Sequence, residues 1–597
     1  MSYRAPVNDI RFVLNELAGL SEVCALPGNE DTNPELVDAI LEEAAKFAEG
    51  VLAPINRNGD LHGNTVDNGV VTTAPGFRDA YHQFRDAGWV GMRGPVEYGG
   101  QGMPALVTMA VEELWCAANL SFSLCPLLTL GATEALHHHA SDELKSIYLP
   151  KMISGEWPGT MNLTEPQAGS DLAQVRSKAV PNPTGDGSYL ISGQKIFITW
   201  GEHDMADNIV HLVLARLPDA PAGVKGISLF VVPKFLVNAD GSLGARNDVR
   251  CVSLEHKLGI HGSPTCVMSY GDNGNAVGYL VGEANRGLSY MFTMMNHARL
   301  GVGVEGMAIS ERSYQQAVAY ARDRVQSRAL GSDDASSAAI IKHPDVRRML
   351  MTMRSQIEAQ RALTYLTGAA LDKAARHPDA AEKQKAQALV NFLIPIVKGW
   401  NTEQANEITS LGVQIHGGMG FIEETGAAQH YRDARITSIY EGTTGIQALD
   451  LIGRKLASEK GTTAKVLLTE VAATVNKLKA AGDLAVIGDA LEAAQEATIK
   501  TVDYLLATFD SNPRAAAVGS VPFLKQMGIL LGGWQLGRAA LIARQKLADG
   551  EGDAAFFESK ISVARFFAAH QLPQVAALAQ TIRFGAESAL EIGEELL

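Results

Sequence analysis

The feature that most constrains this chain is a hydrophobic period that changes twice. Residues 34–47 (PELVDAILEEAAKF) and 104–118 place apolar side chains at i, i+3 and i+4, the spacing of amphipathic helices. Residues 188–199 (SYLISGQKIFIT), 207–217 (DNIVHLVLARL) and 226–232 (GISLFVV) are instead short runs rich in Val, Ile, Phe and Leu. They are separated by turn compositions such as PNPTGDG and PDAPAGVKG. These runs predict antiparallel strands of a small sheet extending to about Gly282. From Arg286 the helical period returns, with long helices expected over 299–324, 346–373 and 384–411, the last kinked at Pro395. Helices, then sheet, then helices excludes an alternating βαβ protein and predicts an α+β fold.

With 597 residues the chain has room for roughly four domains. The period changes divide it into an N-terminal extension (1–35), a helical domain (36–158), a β domain (159–284), a helical bundle (285–455) and a further helical domain (456–597). Hydrophobic residues at 46% against 20% charged are enough to bury cores throughout. Net charge −15 argues against nucleic acid as a partner, because phosphate binding needs clustered positive charge. No run approaches the roughly 18 apolar residues of a membrane span. The N-terminus mixes Arg and Asp into its apolar residues, unlike a signal peptide. Five cysteines without CxxC spacing suggest neither zinc nor disulfides, so a cytoplasmic location is expected.

Two motifs mislead. Gly301-Val-Gly-Val-Glu-Gly306 matches a dinucleotide fingerprint but lies between helical runs, where small residues serve close helix packing. His137, His138 and His139 point about 100° apart on a helix and converge poorly on one ion, so no metal site is expected.

Four other segments carry chemistry, each with an ordinary alternative. TEPQAGSD (164–171) is a hydroxyl-bearing turn in which Ser170 or Asp171 can also act as a helix cap. GQKIFITWG (193–201) puts Phe197 and Thr199 on one strand face, suiting a flat heterocycle or plain strand packing. QIHGGMGF (414–421) has paired glycines that allow close backbone approach or end a helix. In RDARITSIYEGTTGIQ (432–447), Glu441 sits between Tyr440 and Gly442 in apolar surroundings, where burial raises a carboxyl toward the range of a general base.

Together, in this order and within this helix–sheet–helix frame, the four segments resemble the acyl-CoA dehydrogenase family over about residues 36–455. The resemblance implies non-covalent FAD in a cleft between the sheet and the bundle. Leu163, Thr164 and Ser170 would line the flavin ring, with Ser170 also near CoA. Phe197, Ile198 and Thr199 would cover its other edge. Arg324 and Gln326 would grip the FAD diphosphate across a homodimer interface. Gln414, Gly417 and Gly418 would hold the adenosine half, with Thr443 beside the base. Arg299, Tyr440 and Gly442 would contact the substrate. Trp200 stands where many members have Asn, and Gly445 where many have Gln.

The implied reaction is α,β-desaturation of an acyl-CoA thioester. Glu441 takes the α-proton, and electrons pass on to an electron-transfer flavoprotein. Glu165 is the next carboxylate to consider as base. The N-terminal extension and residues 457–597 resemble bacterial members acting on medium- or long-chain acyl-CoA or on 3-(methylthio)propanoyl-CoA. An acyl-CoA oxidase and a non-catalytic flavin-binding relative share the motifs and stay open as alternatives.

Overall fold

The computed structural model describes residues 3–597. The first layer is helical. Helix α1 (Ala105–Ala118) is buried on nearly every face, and α2 (Leu120–His139) follows after Asn119, whose side-chain oxygen accepts the Phe122 N–H at 3.1 Å. A short hairpin, Thr65–Asp67 with Val70–Thr72, precedes them in the chain; three-residue strands leave too little periodicity to be read in advance. The three histidines at the end of α2 diverge: His137 Nε2 meets Glu97 at 3.0 Å, while His139 meets Thr293 at 2.8 Å and stacks on Tyr290. Among the described residues no group of three or more His, Cys, Asp or Glu is placed to hold a metal.

The sheet has eight strands: β1 (Gly159–Asn162), β2 (Lys178–Pro181), β3 (Tyr189–Thr199), β4 (Val210–Ala215), β5 (Ser228–Pro233), β6 (Val249–Leu254), β7 (Thr265–Tyr270) and β8 (Val277–Leu280). Their order is β6-β7-β3-β8-β5-β4-β1, with β2 on β3. The expectation of a purely antiparallel sheet needs one correction: β1 pairs parallel to β4, Gly159 opposite Val210. That edge is reached from the helical layer rather than by a hairpin, and neither alternation nor turn chemistry reports such a pairing. Strands β4 and β5 are buried on both faces, which explains their continuous apolar runs.

Three long helices form the bundle: α3 (Gly287–Asp323), α4 (Pro344–Arg376) and α5 (Ala380–His416). Helix α5 is continuous through Pro395, so the proline removes one backbone bond without ending the helix. The GxGxxG of α3 is a packing device. A Cβ at Gly303 would lie 2.6 Å from Val397 Cγ1, and one at Gly306 would lie 2.9 Å from the Asn401 backbone on α5. Helix α6 (Ala427–Arg435) then docks the bundle on the N-terminal helical layer and on a loop of the β domain. Arg432 makes paired 2.7 Å contacts with Asp60, Asp433 accepts the Ile260 N–H, and Gly259 approaches the Arg432 backbone too closely for any side chain.

Beyond the bundle come α7 (Thr462–Ala480), α8 (Ala485–Thr508), α9 (Ser520–Asp549), α10 (Ala554–His570) and α11 (Pro573–Phe584). Helix α9 packs on α4 and α5. The Trp400 indole of α5 fills a groove made by Gly528 and Gly532, where added Cβ atoms would come within 2.2 and 2.8 Å of the ring. No helix among the described residues is long and apolar enough to cross a membrane.

Candidate active site

Glu441 lies in the turn between a 3₁₀ segment, Ile436–Ser438, and the helix Thr444–Asp450. Its φ is +53°, a conformation a non-glycine residue holds only when its surroundings over-determine it. The next residue has φ +90°, and a Cβ there would sit 2.6 Å from Gln447 Nε2, so only glycine fits. Buried groups pin both sides of the turn. The Tyr440 hydroxyl donates to Glu305 of α3, Lys398 Nζ of α5 donates to the Gly442 carbonyl at 2.7 Å, Thr444 donates to Glu403 at 2.5 Å, and Gln447 Nε2 donates to the Glu441 carbonyl at 3.2 Å. Thr443 caps the following helix, its hydroxyl accepting the Ile446 N–H at 3.3 Å.

Desolvation pushes the Glu441 carboxyl up to about 7, against the opposing pull of Arg299 and Lys398. Arg299 is itself buried, its guanidinium lowered by desolvation and held by Asp450 and Glu441, with Nε unpartnered. Burial takes Glu305 up to about 8 and Lys398 down to about 8. Sequence reasoning passed over Glu305 and Lys398. The available signal was a lone charge inside an otherwise apolar helical run, GVGVEGMAI and LIPIVKGW.

Two cavities are lined in part by α3, the helix that carries Arg299 and Glu305. One, of ≈ 40 Å³, is walled by Phe84, Trp89, Met92, Trp115, Cys116 and Gly301, the last one helical turn from Glu305. Its charged members are Arg93, paired with Glu134 at 3.0 Å, and Glu112, which burial raises to about 7. The Trp89 indole N–H is buried without a partner. The other, of ≈ 190 Å³, brings Arg299 and Asn296 together with Asp450, Arg454 and Lys455.

On the sheet side, β3 bulges against β7 between Lys195 and Ile198, and Phe197 takes φ +58°. The bulge turns Phe197 outward, 59% exposed, with Thr199 partly exposed nearby and Ile198 buried. Leu163 is buried as well. Thr164 is tied to the bulge through its carbonyl, which accepts the Ile196 N–H at 2.9 Å. Ser170 is exposed, and the cap in this loop is Asp171, accepting the Ala173 N–H at 3.0 Å. Glu165 is excluded as an alternative base. Lys195 Nζ at 2.8 Å and the N–H groups of Arg176 and Ser177 saturate it and lower it to about 2. Trp200 is fully buried, its indole donating to the Ser121 carbonyl at 3.2 Å, and so joins the sheet to α2.

The remaining expected residues form a separate, exposed group. The His416 ring stacks on Tyr320 at 4.4 Å, which brings Gln414, Gly417 and Gly418 beside the end of α3, where Arg324 and Gln326 emerge. Nothing lies within 4 Å of a Cβ built on Gly417 or Gly418, and Phe421 is 85% exposed. The residues present fit a flavin nucleotide. An exposed aromatic ring and hydroxyls meet at the sheet bulge for the ring system, and an open glycine pair lies near an exposed arginine for the phosphates.

Family models match in succession. Residues 34–156 match "Acyl-CoA dehydrogenase, N-terminal domain", 160–272 its middle domain, 285–457 its C-terminal domain, and 467–593 "Acetyl-CoA dehydrogenase C-terminal like". The chain is 52% identical to a 3-methylmercaptopropionyl-CoA dehydrogenase of Ruegeria pomeroyi, over 97% of both chains. It is 34% identical to the broad-specificity linear acyl-CoA dehydrogenase FadE5 of Mycobacterium tuberculosis, over 99% of both. The solved structure of Caenorhabditis elegans ACDH-11 with C11-CoA superposes with TM-score 0.77 at 18% identity, covering 99% of this chain and 96% of that one. An acyl-CoA dehydrogenase of Bacillus anthracis complexed with FAD superposes at TM-score 0.72 and 20% identity, covering 98% and 93%. With those matches spanning all four folded parts and the strained, desolvated Glu441 at its centre, this chain belongs to the FAD-dependent acyl-CoA dehydrogenase family.

Proposed function

We propose that the enzyme oxidises a short acyl-CoA carrying a thioether, 3-(methylthio)propanoyl-CoA, to its α,β-enoyl thioester, with Glu441 as the base. The observation that carries the chemistry is Glu441 itself: desolvated to about 7, aimed by a strained turn, and faced by Arg299. Its carboxylate takes the α-proton. Among the described residues the backbone N–H of Glu441 meets no acceptor, which leaves it to polarise the thioester carbonyl. A flavin held at the sheet bulge would supply the acceptor for the hydride equivalent leaving the β-carbon. Tyr440 and Gly442 flank the thioester. Thr164, Ser170, Phe197 and Thr199, with Leu163 and Ile198, hold the ring system.

The substrate reading rests on the 52% identical Ruegeria pomeroyi enzyme and on the small aromatic cavity. At ≈ 40 Å³ it holds a short tail. Its Trp, Phe and Met walls favour a sulfur atom, and the unpartnered Trp89 N–H offers that sulfur a donor. Arg324, Gln326, Gln414, Gly417 and Gly418, exposed and apart from the sheet group, serve FAD across a homodimer interface, and electrons leave to an electron-transfer flavoprotein. Operation in the cytoplasm accords with five free cysteines.

An acyl-CoA panel from butanoyl to dodecanoyl, plus 3-(methylthio)propanoyl-CoA, assayed with a dye acceptor, tests this reading. The methylthio substrate should give the highest kcat/KM. A maximum at eight or more carbons overturns the substrate assignment, and rapid peroxide formation in air makes the enzyme an oxidase.

A further inference from the structure

Glu441 is only one member of a buried charged set. Its turn is gripped at three positions by side chains from two helices: Tyr440 by Glu305 of α3, Gly442 by Lys398 of α5, and Thr444 by Glu403 of α5. The Lys398 side chain is 0% exposed and its ammonium reaches the Gly442 carbonyl at 2.7 Å. Taking an ammonium fully out of water is costly unless charges and acceptors repay it. The groups facing it are Glu441 of the turn, Glu305 and Arg299 of α3, and Glu403 of its own helix. The C-terminal domain closes the far side. Gly399 lies against Leu524, and Trp400 is seated between Gly528 and Gly532 of α9. The helix segment carrying Lys398 is thus backed by α9 and cannot retreat from the base.

We infer that Lys398 is a positioning residue for the base, its ammonium clamping the Gly442 carbonyl so that Glu441 keeps its left-handed backbone, and adding its positive charge, while protonated, to that of Arg299 near the Glu441 carboxylate. This rests on the reading of Glu441 as base. The two contributions separate physically. The hydrogen bond aims the carboxylate, and misplacement of a reacting group by about 1 Å can cost on the order of 10²-fold in rate. The charge favours the ionised carboxylate, and the burial of Glu441 works against it.

The FAD-loaded enzyme should be mixed anaerobically with 3-(methylthio)propanoyl-CoA, and the rate of flavin bleaching followed across pH 5.5–9 for Lys398→Met, Lys398→Gln and Lys398→Arg. Lys398→Met should bleach about 10–100-fold more slowly at saturation with little change in half-saturating substrate. Its pH profile should move about 1 pH unit alkaline, because the uncompensated carboxyl holds its proton longer. Lys398→Gln keeps a donor but no charge, so it should recover rate at high pH while keeping the shifted profile. Lys398→Arg should restore both. Wild-type rate and profile in Lys398→Met at full FAD content overturn the inference. So does a uniform loss in Lys398→Met and Lys398→Gln without any alkaline move, which marks Lys398 as a packing residue. Should Lys398→Met fail to fold, the pH profile of Lys398→Gln decides alone. Glu441→Gln under the same conditions separates the two readings. If it bleaches at the wild-type rate the base is misassigned; if it is silent while Lys398→Gln keeps the wild-type profile, only the role of Lys398 fails.

Discussion

Arg361 and Glu113 form a fully enclosed ion pair: Nη2 lies 2.6 Å from Oε1, with the guanidinium 1% and the carboxylate 0% exposed. Arg361 also reaches Glu311 at 2.9 Å, and the Tyr365 hydroxyl donates to Glu113 at 2.6 Å. The pair bolts α4 of the bundle to α1 of the N-terminal layer. Removing Glu113 leaves the buried guanidinium with Glu311 alone and takes the acceptor from the Tyr365 hydroxyl. Glu113→Ala should therefore lose about 3–5 kcal/mol in denaturant titration. The double replacement Glu113→Leu with Arg361→Met should recover part of it, the remainder being the lost partners of Glu311 and the Tyr365 hydroxyl, and a double variant no better than the single would refute this view of the pair.

Glu441→Gln keeps the shape of the base and removes its proton affinity. Turnover should fall by about 10²–10⁴-fold while the protein stays yellow and still binds acyl-CoA. Glu441→Asp draws the carboxylate back by one methylene and should retain part of the activity. Steady-state assay beside FAD stoichiometry checks both.

Because Glu441 is pushed up to about 7 and must be ionised to act, kcat/KM should rise with pH and level off above about 7. A profile already flat at pH 5 would show a base with an ordinary carboxyl.

Glu305 gives a stability prediction with a definite sign. Its folded-state value of about 8 lies above the ordinary carboxyl value of about 4.5, so the folded protein keeps a proton that the unfolded chain releases. Stability therefore falls as pH climbs between those values. Glu305→Gln removes the titration and keeps an acceptor for Tyr440. It should melt higher than wild type at pH 8.5, with the difference shrinking toward pH 4.5.

Arg324→Ala should lose FAD during gel filtration while the protein still folds, since Arg324 is exposed and makes no packing contact of its own fold's core. Full flavin retention would count against an FAD site shared between protomers, as would a monomer by light scattering.

Gly528→Ala tests the docking of the C-terminal domain. Its new Cβ would lie 2.2 Å from Trp400 Cγ, so the helices must part, at a cost of about 1–3 kcal/mol. Earlier proteolytic release of the C-terminal helices on warming is the expected readout.

The sequence by itself determined the order of helices, sheet and helices, because periodicity is local and each segment's apolar face is written in neighbouring residues. It also marked Glu441 as the candidate base, through the resemblance its segment carries together with the three other motifs rather than through any signal of its own. The parallel pairing of β1 with β4 was not legible, because pairing partners lie about 50 residues apart and the strand pattern is the same either way. Nor were the roles of Glu305, Lys398 and Glu403. Each is a lone charge in a helix, ordinary until α3 and α5 are packed around one turn. Glu165 looked available in sequence, and only folding showed it consumed by Lys195. Arg432 and Asp433, next to the catalytic segment, proved to hold the domains together. Local sequence sets what each residue can do. Desolvation and the neighbours gathered from distant helices decide which carboxylate is left free, strained and near neutrality, and those exist only in the tertiary structure.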